Sequence, residues 1–139
     1  MVNLITGKNG KGKSKFLLEK VNTQIKEVLG NVVYLDTSTK HMYELNNKIR
    51  LINISEYNIQ SGDMFIGFLL GIISGDHDIQ QLYFDNFLSL SHTSMNELEN
   101  IVKQLEDLSK DFGIDIYMAV STTDAELPAS LSDKVIEAL

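Results

Sequence analysis

A phosphate-binding pattern lies close to the start of the sequence. Residues 7–14 read Gly-Lys-Asn-Gly-Lys-Gly-Lys-Ser and fit the pattern G-x-x-x-x-G-K-[ST]. The apolar run Val2 to Ile5 precedes them, and a helix-like run, Phe16 to Leu29, follows. A glycine-rich bend between a strand and a helix directs backbone N–H groups and a helix N-terminus at one point, where they suit a polyphosphate. The pattern therefore predicts nucleotide binding.

Two side chains of this loop have the chemistry that a nucleoside triphosphate requires. Lys13 would place a positive charge beside the β- and γ-phosphates, and the hydroxyl of Ser14 could coordinate Mg²⁺. We therefore treat Lys13 as a candidate catalytic residue as well as a binding residue. The full set that we expect to contact the nucleotide is Gly7, Lys8, Asn9, Gly10, Lys11, Gly12, Lys13, Ser14, Lys15 and Ser121.

Carboxylates end two of the predicted strands. Asp85 follows the apolar run Gln81 to Phe84, which has the strand-then-Asp form of a Walker B element, and Asp36 ends the run that begins at Asn31. A Mg²⁺ ion held by Ser14 and the phosphates needs a nearby carboxylate, directly or through water. We assign that role to Asp85, so the predicted metal ligands are Ser14 and Asp85. The alternative role for Asp85 is to cap the turn that follows.

Two acidic residues are candidates for orienting an attacking water, namely Asp36 and Glu44. The polar turn Ser121 to Thr123 could contact the γ-phosphate or bound water, or it could satisfy the backbone of the turn. The three histidines show no metal-ligand spacing, and we interpret them as surface or turn residues: His41, His77 and His92.

Length, charge and composition restrict the class of protein. The chain has 139 residues and no cysteine, so a single domain spanning residues 1–139 is the simplest arrangement and thiolate chemistry is excluded. Its net charge is −7, yet five lysines crowd the loop end of the chain: Lys8, Lys11, Lys13, Lys15 and Lys20. This distribution indicates a local anion site in an acidic body, which does not favour direct binding to nucleic acid.

The apolar runs of the sequence are short. The longest, Met64 to Ile73, is far below the roughly 20 residues that a membrane-spanning helix needs. Gly7 and four lysines interrupt the N-terminal region, so the apolar core of a signal peptide is not expected there. We therefore expect a cytoplasmic protein with no membrane association.

Strand and helix patterns alternate along the chain. Apolar runs predict strands at Val2 to Ile5, Asn31 to Asp36, Arg50 to Ile54, Gln81 to Phe84, Ile114 to Val120 and Lys134 to Leu139. Helical spacing predicts helices at Phe16 to Leu29, at Ser61 to Ser74 as a buried helix, and from a capping box at Ser94 and Glu97 to Phe112. This order predicts an α/β three-layer sandwich with a mainly parallel central sheet, whose ligands bind at the carboxyl ends of the strands.

These residues resemble the RecA/KaiC-like group of P-loop NTPases. The loop 7–14 matches the phosphate loop of that group, Val32 to Thr37 resembles its second strand, and Leu82 to Phe87 resembles its Walker B strand. Phe112 to Ser121 is similar to its sensor strand, and Ser132 to Ile136 to its closing strand. The resemblance implies a RecA-like core, ATP and Mg²⁺ as ligands, and a homo-oligomer or a protein partner.

One departure from the group concerns catalysis. The group usually has a catalytic Glu two residues beyond the position of Asp36, and this chain has Ser38 there. The nearest acid beyond it is Glu44. Arg50 is the single arginine, so an arginine finger has one candidate. The resemblance therefore implies slow hydrolysis, or none.

Two other P-loop groups have similar loops. The MinD/ParA group has an extra lysine, here Lys8, that reaches the nucleotide of a partner subunit, but the long helix after Asp85 fits that group less well. The ABC/SMC group requires a Leu-Ser-Gly-Gly signature that is absent. Our main hypothesis is an ATP-binding RecA-like domain with weak Mg²⁺-dependent hydrolysis coupled to oligomer or partner association. The alternatives are a catalytically inactive nucleotide-binding or structural subunit, and a MinD/ParA-like dimerising ATPase.

Overall fold

Six strands and four α-helices make up the regular structure of the chain. The computed structural model describes residues 1–139. The strands are Val2–Gly7 (β1), Asn31–Asp36 (β2), Arg50–Asn53 (β3), Ile79–Phe84 (β4), Asp115–Ser121 (β5) and Val135–Ala138 (β6). The helices are Lys13–Gln24 (α1), Gly62–Gly75 (α2), Phe87–Ser91 (α3) and Leu98–Phe112 (α4). Short 3₁₀ turns lie at Met42–Glu44, Ile54–Glu56, Met95–Glu97 and Ala129–Lys134.

All six strands belong to one parallel sheet with the order β3-β2-β4-β5-β1-β6. Because the strands run in the same direction, their carboxyl ends share one edge of the sheet. Strand β5 lies between β1, which leads into the glycine-rich loop, and β4, which leads to Asp85. The predicted α/β fold with a parallel sheet is confirmed.

The four inner strands, β1, β2, β4 and β5, are largely buried on both faces, and their successive residues alternate between two apolar clusters. Leu82 and Phe84 of β4 lie in a cluster of 25 buried residues that includes side chains of α2, α3 and α4. Tyr83, between them, lies in a cluster of nine buried residues that includes side chains of α1. This alternation follows from the two-residue period of a strand, and it makes the sheet the middle of three layers.

The helix α4 begins and ends where the sequence indicates. Ser94 and Glu97 form the predicted capping box, which leads through one 3₁₀ turn into the helix. Gly113 ends the helix with φ of 65°, in the left-handed region that glycine adopts without steric cost. The predicted helix from the capping box to Phe112 is confirmed.

Two predicted helices differ from the structure. Helix α1 ends at Gln24 instead of Leu29, and turns follow until β2 begins, with Leu29 98% exposed. Helix α2 is buried along one face only, because Phe65, Leu69 and Ile73 face the sheet while Met64 and Leu70 are exposed. Helix α2 is therefore less buried than its apolar composition predicts. None of the four helices is long and apolar enough to cross a bilayer.

Adjacent leucines on α2 offer a test of this packing. Leu69 is fully buried and Leu70 is 42% exposed. We expect Leu69→Ala to lower the free energy of unfolding by about 2–5 kcal/mol, because it leaves a cavity in the core. The matched control Leu70→Ala should cost about 0.5 kcal/mol. Urea denaturation monitored by circular dichroism measures both values, and equal losses would contradict the assigned orientation of α2.

Candidate nucleotide-binding site

The glycine-rich loop connects β1 to α1 at the carboxyl edge of the sheet. Gly10 and Gly12 have φ of 83° and 95°, a region that side chains with a Cβ adopt only with strain. No heavy atom lies within 4 Å of where a Cβ would stand on either residue, so the backbone conformation, not the available space, favours glycine at both positions. Helix α1 begins directly after Gly12, and its first N–H groups are therefore directed toward the loop.

Lys13 is the cation at the start of α1. Its Nζ donates a hydrogen bond to the carbonyl oxygen of Lys8, 3.0 Å away, so the side chain folds back across the loop. Burial lowers the pKa of Lys13, while the negative charge of Asp85 acts in the opposite direction. A phosphate group at this position would favour the charged form of the lysine in the same way.

Asp85 connects the loop to the sheet. Its Oδ1 accepts a hydrogen bond from Ser14 Oγ at 2.9 Å, although 71 positions separate the two residues. Its Oδ2 accepts a hydrogen bond from Tyr34 Oη, also at 2.9 Å. Tyr34 is fully buried in β2, and burial together with the charge of Asp85 raises the pKa of the tyrosine, which keeps its hydroxyl a donor. The carboxylate is thus held in one orientation from both sides.

Asp36 is a second buried carboxylate at the same edge. One of its oxygens, Oδ1, accepts a hydrogen bond from the N–H of Thr37 at 2.7 Å. The other, Oδ2, is buried without a hydrogen-bond partner. Burial, followed by the charge of Asp85, raises the pKa of Asp36. Two carboxylates therefore face the same small region, and neither forms a salt bridge.

These groups surround an open pocket of about 450 Å³. Its lining contains no apolar residue and consists of Asn9, Gly10, Gly12, Lys13, Ser14, Asp36, Thr37, Lys40, Asp85, Asn86 and Ser121. The pocket thus brings together the loop, both strand-end carboxylates and the last residue of β5. A lining of charged and polar groups suits phosphates and a metal ion better than an apolar ligand.

Several predicted contact residues lie outside the pocket lining. Lys8, Lys11 and Lys15 have exposed positions, and Gly7 is buried; none of the four lines the pocket. Ser121 lines it and donates a hydrogen bond to Asn9 Oδ1 at 2.9 Å.

Glu44, a candidate for orienting water, lies in the turn after β2. Its side chain is 60% exposed and contacts His41 Nδ1, and it does not line the pocket. His41 lies in a turn, as the sequence predicts, and its side chain is 19% exposed. Ligand atoms of His41, Asp36 and Asp85 lie within 4.8 Å of one another.

Some residues of the site cannot be identified from a sequence motif. Thr37, Lys40 and Asn86 line the pocket but belong to no motif with a fixed spacing. Tyr34 packs in the apolar core and also donates a hydrogen bond to Asp85. The one clue in the sequence is that Tyr34 lies two residues before Asp36, because residues i and i+2 of a strand share a face.

Comparisons with known proteins identify the fold. No protein-family model matches the sequence, and no curated protein matches it either. The solved structures that are similar to it include the following two, both at low sequence identity. The flagellar accessory protein FlaH from Methanocaldococcus jannaschii is 18% identical with a TM-score of 0.56, and the match covers 93% of this chain and 63% of that chain. A KaiC-like protein from the hyperthermophilic archaeon Pyrococcus horikoshii OT3 is 16% identical with a TM-score of 0.59, covering 85% and 59%.

This similarity and the all-parallel sheet show the fold. The chain spans less than two thirds of the length of either structure. It has the RecA-like α/β fold, and the resemblance to the RecA/KaiC-like group is confirmed at the level of the fold.

The hydrogen bond between Tyr34 and Asp85 can be tested by removing one hydroxyl. We expect Tyr34→Phe to lower the free energy of unfolding by about 1–3 kcal/mol, because a buried carboxylate oxygen loses its donor. Tyr57, which is 48% exposed, provides the matched control Tyr57→Phe. Urea denaturation of the two variants measures the difference, and similar stabilities would show that the Tyr34 hydroxyl does not hold Asp85.

Proposed function

We propose that this chain is a RecA-like nucleotide-binding domain, formed by residues 1–139, that binds ATP with Mg²⁺ at the pocket beside residues 7–14. The observation that carries the proposal is the 2.9 Å hydrogen bond between Ser14 Oγ and Asp85 Oδ1. The loop pattern alone predicts a phosphate site. The hydrogen bond also brings together the Ser14 hydroxyl and the Asp85 carboxylate, the two groups that we expect to hold Mg²⁺. They come from distant parts of the chain, since Ser14 follows β1 and Asp85 follows β4.

The residues fit Mg²⁺, because a hydroxyl and a carboxylate are hard oxygen ligands. Ser14 and Asp85 would hold the ion directly or through water, and the ion would neutralise charge on the β- and γ-phosphates. The N–H groups at the start of α1 and the charge of Lys13 would bind the same phosphates. Lys13 would exchange its hydrogen bond with the uncharged Lys8 carbonyl for one to a charged phosphate, which is stronger because both partners carry charge.

The choice of ATP rests on the resemblance to the RecA/KaiC-like group. The lining of the pocket is polar throughout, so it accounts for phosphates and a metal ion and leaves the base unassigned. A cytoplasmic location and association with a second copy or a protein partner belong to the same proposal. The two similar structures are those of a flagellar accessory protein and a KaiC-like protein.

Hydrolysis, in this proposal, is slow. Ser38 stands where the group usually has its catalytic Glu, and the exposed Glu44 side chain contacts His41 instead of the pocket. Asp36 is the remaining acid in the pocket that could orient water. The same observations favour a second candidate, a module that binds nucleotide without turnover and changes its association state.

Binding is tested by substituting the lysine of the loop. We expect Lys13→Ala to weaken Mg·ATP binding by about 10- to 150-fold, because a hydrogen bond to a charged group contributes about 1.5–3 kcal/mol. The matched control is Lys103→Ala, which removes an exposed lysine of α4. Isothermal titration calorimetry measures both affinities. If Lys13→Ala binds Mg·ATP as tightly as the parent chain, the site is wrongly assigned.

Turnover is tested separately in a single-turnover assay with labelled ATP and excess protein. We expect slow hydrolysis in the parent chain and none in Asp85→Ala, because that variant loses the carboxylate that holds Mg²⁺. Asp107→Ala, at an exposed position of α4, is the control and should keep the parent rate. Binding without any hydrolysis in the parent chain would select the non-catalytic module.

A further inference from the structure

Three potential metal ligands from two separate segments meet beside the loop. Asp36 is the last residue of β2, Asp85 follows β4, and His41 lies in the segment after β2. One ligand atom from each lies within 4.8 Å of the other two. Around an ion with bonds of about 2.1 Å, ligand atoms are about 3–4 Å apart, so a small contraction of the cluster would let all three residues bind one ion.

An unpartnered buried oxygen points to what this cluster lacks. Asp36 is 3% exposed, and its Oδ2 is the one buried side-chain polar atom of the chain without a hydrogen-bond partner. Leaving a buried charged acceptor unsatisfied is costly. Asp85, also 3% exposed, adds a second negative charge, and no lysine or arginine forms a salt bridge with either carboxylate. A cation between the two carboxylates would give Asp36 Oδ2 a partner and would offset the negative charge of both residues.

The surroundings of His41 match those of a metal-binding histidine. Its Nδ1 is hydrogen-bonded to Glu44 Oε2, which leaves Nε2 as the nitrogen with a free lone pair. Histidines that bind metal commonly pair their other ring nitrogen with a carboxylate, which fixes the tautomer and the ring orientation. The segment is anchored to α1, because Asn22 donates to the Glu44 carbonyl at 2.7 Å and accepts from the Asn46 N–H at 2.9 Å.

We propose that Asp36, His41 and Asp85 form a binding site for a first-row divalent cation, which fills without nucleotide and prefers Zn²⁺ or Co²⁺ to Mg²⁺. The preference follows from the imidazole ligand, which suits these metals better than Mg²⁺. Two carboxylates and one imidazole leave at least one coordination position for water or a ligand oxygen. Glu44 is a positioning residue that acts through His41.

This site is distinct from the one proposed for nucleotide-bound Mg²⁺, although both use Asp85. The Mg²⁺ site pairs Asp85 with Ser14, on the loop side, whereas this site pairs it with Asp36 and His41. A carboxylate has about four lone-pair positions, so Asp85 can keep its bonds to Ser14 and Tyr34 and still contact an ion. The inference does not require that the chain bind ATP.

The test uses the full chain, freed of metal by chelation and without nucleotide. Titration with Co²⁺ alone should show one ion per chain by calorimetry, together with visible absorption bands of protein-bound cobalt. We expect His41→Ala and Asp36→Asn each to weaken binding at least tenfold and to remove the bands, and a tenfold excess of Mg²⁺ should not displace Co²⁺. His77→Ala is the matched control, because His77 lies exposed beside Asp76 and Asp78 and should leave the titration unchanged.

Failure to bind Co²⁺, or binding that both His41→Ala and Asp36→Asn leave unchanged, would overturn the inference. So would loss of binding in His77→Ala alone. A thermal melt in chelator identifies any variant that fails to fold, and Asp36→Asn should melt no lower than the parent chain because it removes an unpartnered buried charge. A parent chain that binds Co²⁺ but not Mg·ATP would refute the nucleotide proposal and leave this inference standing.

Discussion

The site depends on the position of one carboxylate. Asp85 accepts hydrogen bonds from Ser14 at the start of α1 and from Tyr34 in β2. In the sheet, β2 lies on one side of β4, and β1, which leads into α1, lies on the other. The two hydrogen bonds therefore hold the glycine-rich loop and the sheet in one register. A buried carboxylate requires such donors. The hydrogen bonds that stabilise the buried charge of Asp85 therefore also orient its carboxylate toward the loop.

The charges around the pocket divide into two parts. The loop offers N–H groups and Lys13, which favour an anion, whereas Asp36 and Asp85 stand opposite with no salt bridge. A ligand that combines an anion with a bound cation would complement both parts of the pocket. A nucleotide with Mg²⁺ has this character, and so does the combination of phosphate with the divalent ion proposed for Asp36, His41 and Asp85.

The sequence allowed the loop and the strand-helix order to be predicted because both depend on local patterns. The loop has a fixed spacing of glycines, and α4 has a capping box and a terminal Gly113 with φ of 65°. The position of β5 between β1 and β4 depends on long-range pairing, which no local pattern encodes. Leu29 fits the helical spacing of α1 yet is exposed, because the chain leaves the helix early to enter β2. Tertiary packing brings Tyr34 into hydrogen-bond contact with Asp85 and places a ring nitrogen of His41 within 4.8 Å of it, so motif spacing could not identify either neighbour.

The central claim is that phosphates bind at the loop between β1 and α1. The most direct measurement is a titration of ¹⁵N-labelled protein with Mg·ATP, followed by amide resonances. The account predicts the largest shifts at the N–H groups of Gly10 to Ser14, with further shifts at Asp36 and Asp85. An unchanged spectrum, or shifts confined to the groove between Met42 and Tyr57 on the β3 side, would contradict it.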